Sequence, residues 1–221
     1  MPIEIDFYRR YLTVGIGASA LNSLALAESA TSPDPSTIYK ILPKNFNYEV
    51  IPIASPPTNN FKEAKLLYEM KILRTESRIQ EIISQNLNPI PLFWECSETL
   101  ENDYPEFTSS FYNLLSDVEI IVLALKKKFN RPRPSFVLPA IEPVVAVPGH
   151  SSYPSGHATQ SIVIAHILSR LKPDFAAQLH NLAFKIGVNR EVAGLHYPSD
   201  TKAGFAIGRW LLNEFSRMVK A

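Results

Sequence analysis

Apolar residues recur at spacings of three and four along most of the chain beyond residue 60, and that periodicity predicts helices. The first stripe runs through Leu66, Met70, Leu73, Ile79, Ile82 and Ile83 with Lys, Glu and Arg between, and Thr58-Asn59-Asn60 stands ready to cap it. The proline-containing stretch at 88–94 (NPIPLFW) predicts a break. A second run is expected from about Pro105 to Lys128 on Phe111, Leu114, Leu115, Val118, Ile121 and Leu125. A third opens at Pro154-Ser155-Gly156-His157 and reaches about Arg170, a fourth spans Pro173 to about Val188, and a fifth starts at Pro198. Val, Ile and Thr nowhere alternate over more than a few residues. The pattern predicts an all-α, single-domain helical bundle.

The first sixty residues differ. After Arg9 and Arg10, the uncharged stretch Tyr11 to Ala27 ends in Ala25-Leu26-Ala27, which predicts an export signal over residues 1–30 and a periplasmic or secreted protein. Glu4 and Asp6 are unusual in such a leader, and an ordinary N-terminal helix is the competing reading. Residues 31–60 are proline-rich and predict a wrapping arm or linker, leaving 61–221 as the main domain. No other stretch reads as the ~20 apolar residues that cross a bilayer, so no membrane span is expected.

Composition narrows the partners. Lys and Arg number 22 against 21 Asp and Glu, so no global field draws the chain to nucleic acid, and any anion preference must be local. The single cysteine, Cys96, has no partner for a disulfide and reads as a small hydrophobe.

That local chemistry lies in three short segments. In Lys126 to Pro134 (KKKFNRPRP), Pro132 and Pro134 stiffen the backbone around Arg133, whose planar guanidinium can grip two oxygens of a phosphoryl group, while Lys126 adds a point charge. Lys127 and Lys128 read as a basic helix terminus. In Pro154 to His157, the amides of Ser155, Gly156 and His157 would be unpaired donors at the positive end of a helix. Gly156 permits close backbone approach, the Ser155 hydroxyl can donate or cap, and His157 sits where the field favours proton exchange near neutrality. The third segment places Arg190, then His196, then Asp200 four residues on, at the start of the last helix. A carboxylate there can fix the tautomer of His196 and leave its other nitrogen nucleophilic.

Lys126 with Arg133-Pro134, Pro154-Ser155-Gly156-His157, and Arg190 with His196 and Asp200 together resemble the signature of the type 2 phosphatidic acid phosphatase (PAP2) superfamily, which includes bacterial class A nonspecific acid phosphatases and vanadium-dependent haloperoxidases. Asn189 stands where that pattern has Ser. Ile72 to Arg78 (ILRTESR) is similar to the helix upstream of the acid phosphatase site, so the resemblance covers about Phe61 to the C-terminus. It implies a metal-independent phosphomonoesterase without cofactor, in which His196 attacks phosphorus, Asp200 orients it and His157 protonates the leaving group. Lys126, Arg133, Ser155, Gly156 and Arg190 would hold the phosphoryl oxygens. The implied partner is a small phosphomonoester, and a homo-oligomer is possible. The alternative is a haloperoxidase in which the same residues hold vanadate and His196 ligates it. His150, seven residues before His157, is similar to a histidine of the algal bromoperoxidases, or is a loop histidine at the pocket rim.

Overall fold

A computed structural model describes residues 39–218, in which every regular element is helical. The export-signal reading of residues 1–30 lies outside the described residues, as does the start of the proline-rich arm. Eight α-helices follow in order: α1 Asn60–Glu69, α2 Glu76–Ser84, α3 Ile90–Cys96, α4 Pro105–Phe129, the short α5 Pro134–Val137, α6 Gly156–Leu171, α7 Ala176–Val192 and α8 Pro198–Met218. Their order matches the periodicity, with three corrections.

The first stripe is not one helix. It breaks at Arg74, whose backbone leaves the helical region because its side chain is committed elsewhere: Nε donates to Val192 O and Nη1 to Ile141 O and Glu142 O. Thr75 then caps α2 by accepting from Arg78 N. The stretch expected to be a break is instead α3, because Pro91 falls in the first turn, where a missing N–H removes no helical bond, and Phe93 and Trp94 are buried beneath it. The fourth helix runs on to Val192, carrying Arg190 inside it rather than beyond it.

The largest core cluster joins α3, α4, α6, α7 and α8 through Phe93, Trp94, Val118, Ile121, Leu125, Val163, Leu168, Leu179, Ile186 and Leu211. α6 packs against both α7 and α8. Two glycines set the crossing with α8: a Cβ on Gly204 would lie 2.5 Å from Ser155 O, and one on Gly208 would lie 2.2 Å from Ile162 Cγ2. α8 thereby comes close enough for the Ser155 amide to donate to Asp200 O at 3.0 Å. Residues 39–54 run against α4, burying Leu42 and Ile51. There the buried Asp117 carboxylate accepts from the backbone N–H groups of Lys40, Ile41 and Leu42 at 2.7–2.8 Å.

The stretch Phe107–Val137 is long and apolar enough, by length and composition only, to cross a membrane. The expectation that no such stretch exists is therefore corrected. Asp117 and Glu119 interrupt the run to the eye, yet those two charges do not lower its mean hydropathy enough. In the fold Val118, Ile121, Val122 and Leu125 from this helix face the core.

Candidate active site

The three basic and histidine-bearing segments converge. Lys126 at the end of α4, Arg133 before α5, Gly156 and His157 at the start of α6, Arg190 near the end of α7 and His196 before α8 line one cavity of about 280 Å³, with His150 beside them. Lys126, Arg133, Arg190 and His196 are each at least 96% buried. So much positive charge out of water favours an anion in that space.

His196 is held at both nitrogens. Nδ1 lies 3.2 Å from Asp200 Oδ2, and Nε2 lies 3.1 Å from Arg133 Nη1. A guanidinium has donors only, so Nε2 must accept, and the proton of the neutral ring sits on Nδ1, directed at Asp200. That is the tautomer a nucleophilic Nε2 requires. Burial, followed by the nearby Arg133 and Lys126 cations, holds the His196 pKa well below the ordinary imidazole range. Both effects favour the neutral ring, which keeps its lone pair.

Asp200 is fully buried and fully used. Oδ2 also accepts from Ser152 Oγ at 2.5 Å and Tyr197 N at 3.0 Å, while Oδ1 accepts from Arg131 Nη1 at 2.5 Å. Burial raises its pKa, and the Arg131 guanidinium and these bonds oppose that rise by favouring the anion.

The other cations are fixed by neutral carbonyl oxygens, most of them backbone. Lys126 Nζ donates to Ser151 O and Ser152 O, and Arg133 donates from Nε to His150 O and from Nη1 to Leu195 O. Arg190 donates from Nη1 to Asn86 Oδ1 and from Nη2 to Ile82 O. Such anchoring leaves little side-chain freedom to lose when an oxyanion arrives.

His157 Nε2 lies 3.2 Å from Gln85 O and 3.1 Å from Asn86 O. Carbonyls only accept, so Nε2 carries a proton in these contacts. Asn189, the departure from the family pattern, reinforces this corner. Its Oδ1 accepts from Arg78 Nε at 3.0 Å and its Nδ2 donates to Gln85 Oε1 at 2.9 Å, tying α7 to the segment that holds His157.

One choice between readings is decided and one expectation is corrected. Ser155 is buried and is not among the residues lining the cavity: its hydroxyl oxygen caps α6 by accepting from Ala158 N at 3.4 Å. Its amide, expected to be unpaired, donates to Asp200 O. The sequence reading also assigned no role to Arg131, Ser152 or Glu63. Arg131 stands two residues from Arg133 in the same basic run, and charge alone does not distinguish them. His150 does reach the site, where Nδ1 lies 3.0 Å from Arg133 Nη2.

Comparison with known proteins shows the family of the chain. Residues 108–221 match the model of the PAP2 superfamily. A non-specific acid phosphatase of Salmonella typhi is 32% identical over 123 residues, covering 52% of this chain and 47% of that protein. The chain spans about half the length of the curated relatives it matches. Among solved structures, the first bacterial vanadium-dependent iodoperoxidase aligns with a TM-score of 0.58 at 19% identity, over 76% of this chain and 52% of that one. A transmembrane PAP2-type phosphatidylglycerolphosphate phosphatase of Bacillus subtilis aligns with a TM-score of 0.55 at 17% identity, over 74% and 88%. At these identities the structures speak for the fold alone.

Proposed function

From a chain that belongs to the PAP2 superfamily, we propose a phosphoric monoester hydrolase that works through a phosphohistidine on His196. The observation that carries the reading is the His196 ring. Nδ1 faces Asp200 at 3.2 Å, and Nε2 opens towards the cations of the cavity.

In this mechanism Lys126, Arg133, Arg190 and the Gly156 amide bind the phosphoryl oxygens and spread the charge that builds on them. The Nε2 lone pair attacks phosphorus as the bond to the leaving oxygen breaks, and His157 Nδ1 gives that oxygen its proton. Water then attacks the phosphohistidine, His157 Nδ1 takes a proton from it, the P–N bond breaks, and phosphate and the starting ring are restored. Three fixed cations supply the positive charge, so this route asks for no metal. The substrate is a small phosphomonoester, and the export reading of residues 1–30 assigns it to the periplasm or the exterior.

His150 beside Arg133 favours a second reading, a vanadium-dependent haloperoxidase. Lys126, Arg133, Arg190 and His196 fit an oxyanion of that shape, and bound vanadate would supply peroxide activation for halide oxidation. A paired assay separates the two: hydrolysis of a chromogenic phosphomonoester beside bromide oxidation by peroxide, each with and without vanadate. The phosphatase reading expects EDTA-insensitive hydrolysis that vanadate inhibits competitively, and acid-labile, alkali-stable phosphate on the wild type but not on His196→Ala. Bromide oxidation without hydrolysis would transfer the conclusion to the second reading.

A further inference from the structure

We propose that Arg131, clamped between Glu63 and Asp200, is a positioning residue for the nucleophile: it keeps the buried Asp200 carboxylate ionised and aimed at His196 Nδ1. The inference rests on His196 being the attacking group.

The clamp is built from three elements. Arg131, in the turn after α4, donates from Nη1 to Asp200 Oδ1 at 2.5 Å and to Ser199 Oγ at 2.7 Å, from Nη2 to Glu63 Oε2 at 2.6 Å, and from Nε to Asn60 Oδ1 at 2.9 Å. Its guanidinium carbon lies 3.9 Å from the centroid of the Tyr197 ring. Glu63, on α1, is secured in turn by Ser199 N at 2.9 Å and Ser199 Oγ at 2.8 Å, so Arg131 cannot turn away from Asp200 without breaking both ends. The Arg131 backbone takes part as well, since its carbonyl accepts from Ser152 N, and Ser152 Oγ donates to Asp200.

A guanidinium needed only for packing can bond neutral carbonyls, as Arg74 does through Nε and Nη1. Arg131 instead receives two carboxylates, one of which bonds the catalytic imidazole. Buried ion pairs of this kind add little net stability, because desolvation offsets attraction, but they do fix a protonation state. The charged and titratable groups around Asp200 are Arg131 from the turn, Glu63 from α1, Glu191 from α7, and His196 with Tyr197 ahead of α8; Tyr153 faces it from the loop before α6. Glu63 and Glu191, where ionised, oppose the Asp200 anion. Arg131 is the cation that offsets them.

The test is the pH profile of kcat/KM on a chromogenic phosphomonoester, for the wild type and three variants of the full chain. Arg131→Met removes the cation, so Asp200 and His196 hold their protons to higher pH. The acid limb should rise by about one to three pH units. Arg131→Lys should raise the limb less. Glu63→Gln removes an anion from the cluster and should lower the limb or leave it. If Arg131→Met fails to fold, the opposed directions of the other two still decide.

Uniform loss at every pH with an unmoved limb, or Glu63→Gln shifting the limb upwards as Arg131→Met does, would overturn the proposal and leave Arg131 a packing residue. A wild type that does not hydrolyse phosphomonoesters would instead sink the phosphohistidine reading. The imidazole ¹⁵N spectrum then judges the clamp on its own: the pH at which His196 takes up its second proton should be higher in Arg131→Met than in the wild type, and an unmoved His196 titration would overturn the proposal.

Discussion

Arg133 Nη1 lies 3.1 Å from His196 Nε2, so a cation occupies the lone pair that the proposed reaction needs. The contact does two things. It excludes the wrong tautomer, because Nε2–H would meet another donor, and it marks the place where a phosphoryl oxygen must enter between the two groups. Lysine at position 133 could not bond Leu195 O, His150 O and Nε2 together. Arg133→Lys is therefore expected to lower kcat/KM by about a hundredfold and to weaken inhibition by vanadate more than by phosphate, because vanadate better resembles the transition state. Steady-state kinetics with both inhibitors checks this, and equal loss for the two anions would assign Arg133 to binding alone.

Much of this site was legible in the sequence because its residues obey local rules: proline after α4, Ser at the cap of α6, and His and Asp four apart at the start of α8. The rest was hidden for a physical reason. Arg131 and Arg133 are alike in charge and neighbourhood, and only the path of the chain sends one behind the site to Glu63 and Asp200 and the other into the cavity. The break at Arg74 likewise depends on carbonyls 67 to 118 residues away, which no periodicity records. Ser155 shows the converse. Its type and place suited both capping and phosphate binding, and in the fold its hydroxyl oxygen takes the cap.

Glu191 should stand out in the pH dependence of stability. It is buried beside Asp200 and Arg78, and burial raises its pKa to about 8. A carboxyl raised in the fold stabilises most below its unfolded pKa, and that stability is lost as pH rises through the folded value. At pH 7 the cost is up to roughly 3 kcal/mol relative to a group that never ionises. Glu191→Gln is expected to raise the Tm, with a gain that grows between about pH 5 and pH 8. A gain independent of pH would place Glu191 in the ionised state throughout.

His196 gives the opposite slope. Its pKa is depressed in the fold, so its stabilising share is complete above the ordinary imidazole pKa and is lost as pH falls towards the folded value. His196→Gln should therefore flatten the acid side of the Tm profile relative to the wild type. An acid side that stays as steep would transfer that loss to His166 and His180, whose pKa values are lowered by burial and neighbouring positive groups.

Two glycines at the ends of one contact separate binding from folding. A Cβ on Gly156 would meet only Val122 Cγ1 at 3.6 Å, an ordinary contact, whereas one on Gly204 would come within 2.5 Å of Ser155 O and 2.9 Å of Ala158 Cβ. Gly156→Ala is expected to leave the Tm nearly unchanged while raising KM, since the methyl takes cavity space at the amide that meets the phosphoryl oxygens. Gly204→Ala must part α8 from α6 and should cost about 1–3 kcal/mol. It should also lower kcat, because Asp200 rides on α8. Thermal melts beside kinetics settle it, and a large Tm loss in Gly156→Ala would mean that the glycine serves the fold.

His157 offers the sharpest test of chemistry, because its Nε2 is held by Gln85 O and Asn86 O and the proposed mechanism gives its Nδ1 to the leaving group. A lost general acid matters in proportion to the basicity of the departing oxygen. His157→Ala should therefore slow alkyl phosphates by about 10²- to 10⁴-fold and activated aryl phosphates far less, steepening the dependence of kcat/KM on leaving-group pKa. Phosphohistidine should still form on His196 with an aryl phosphate, and its hydrolysis should slow because the same Nδ1 no longer accepts a proton from water. Equal losses for alkyl and aryl esters would show that His157 positions substrate, and the proton would then have to come from another group lining the cavity.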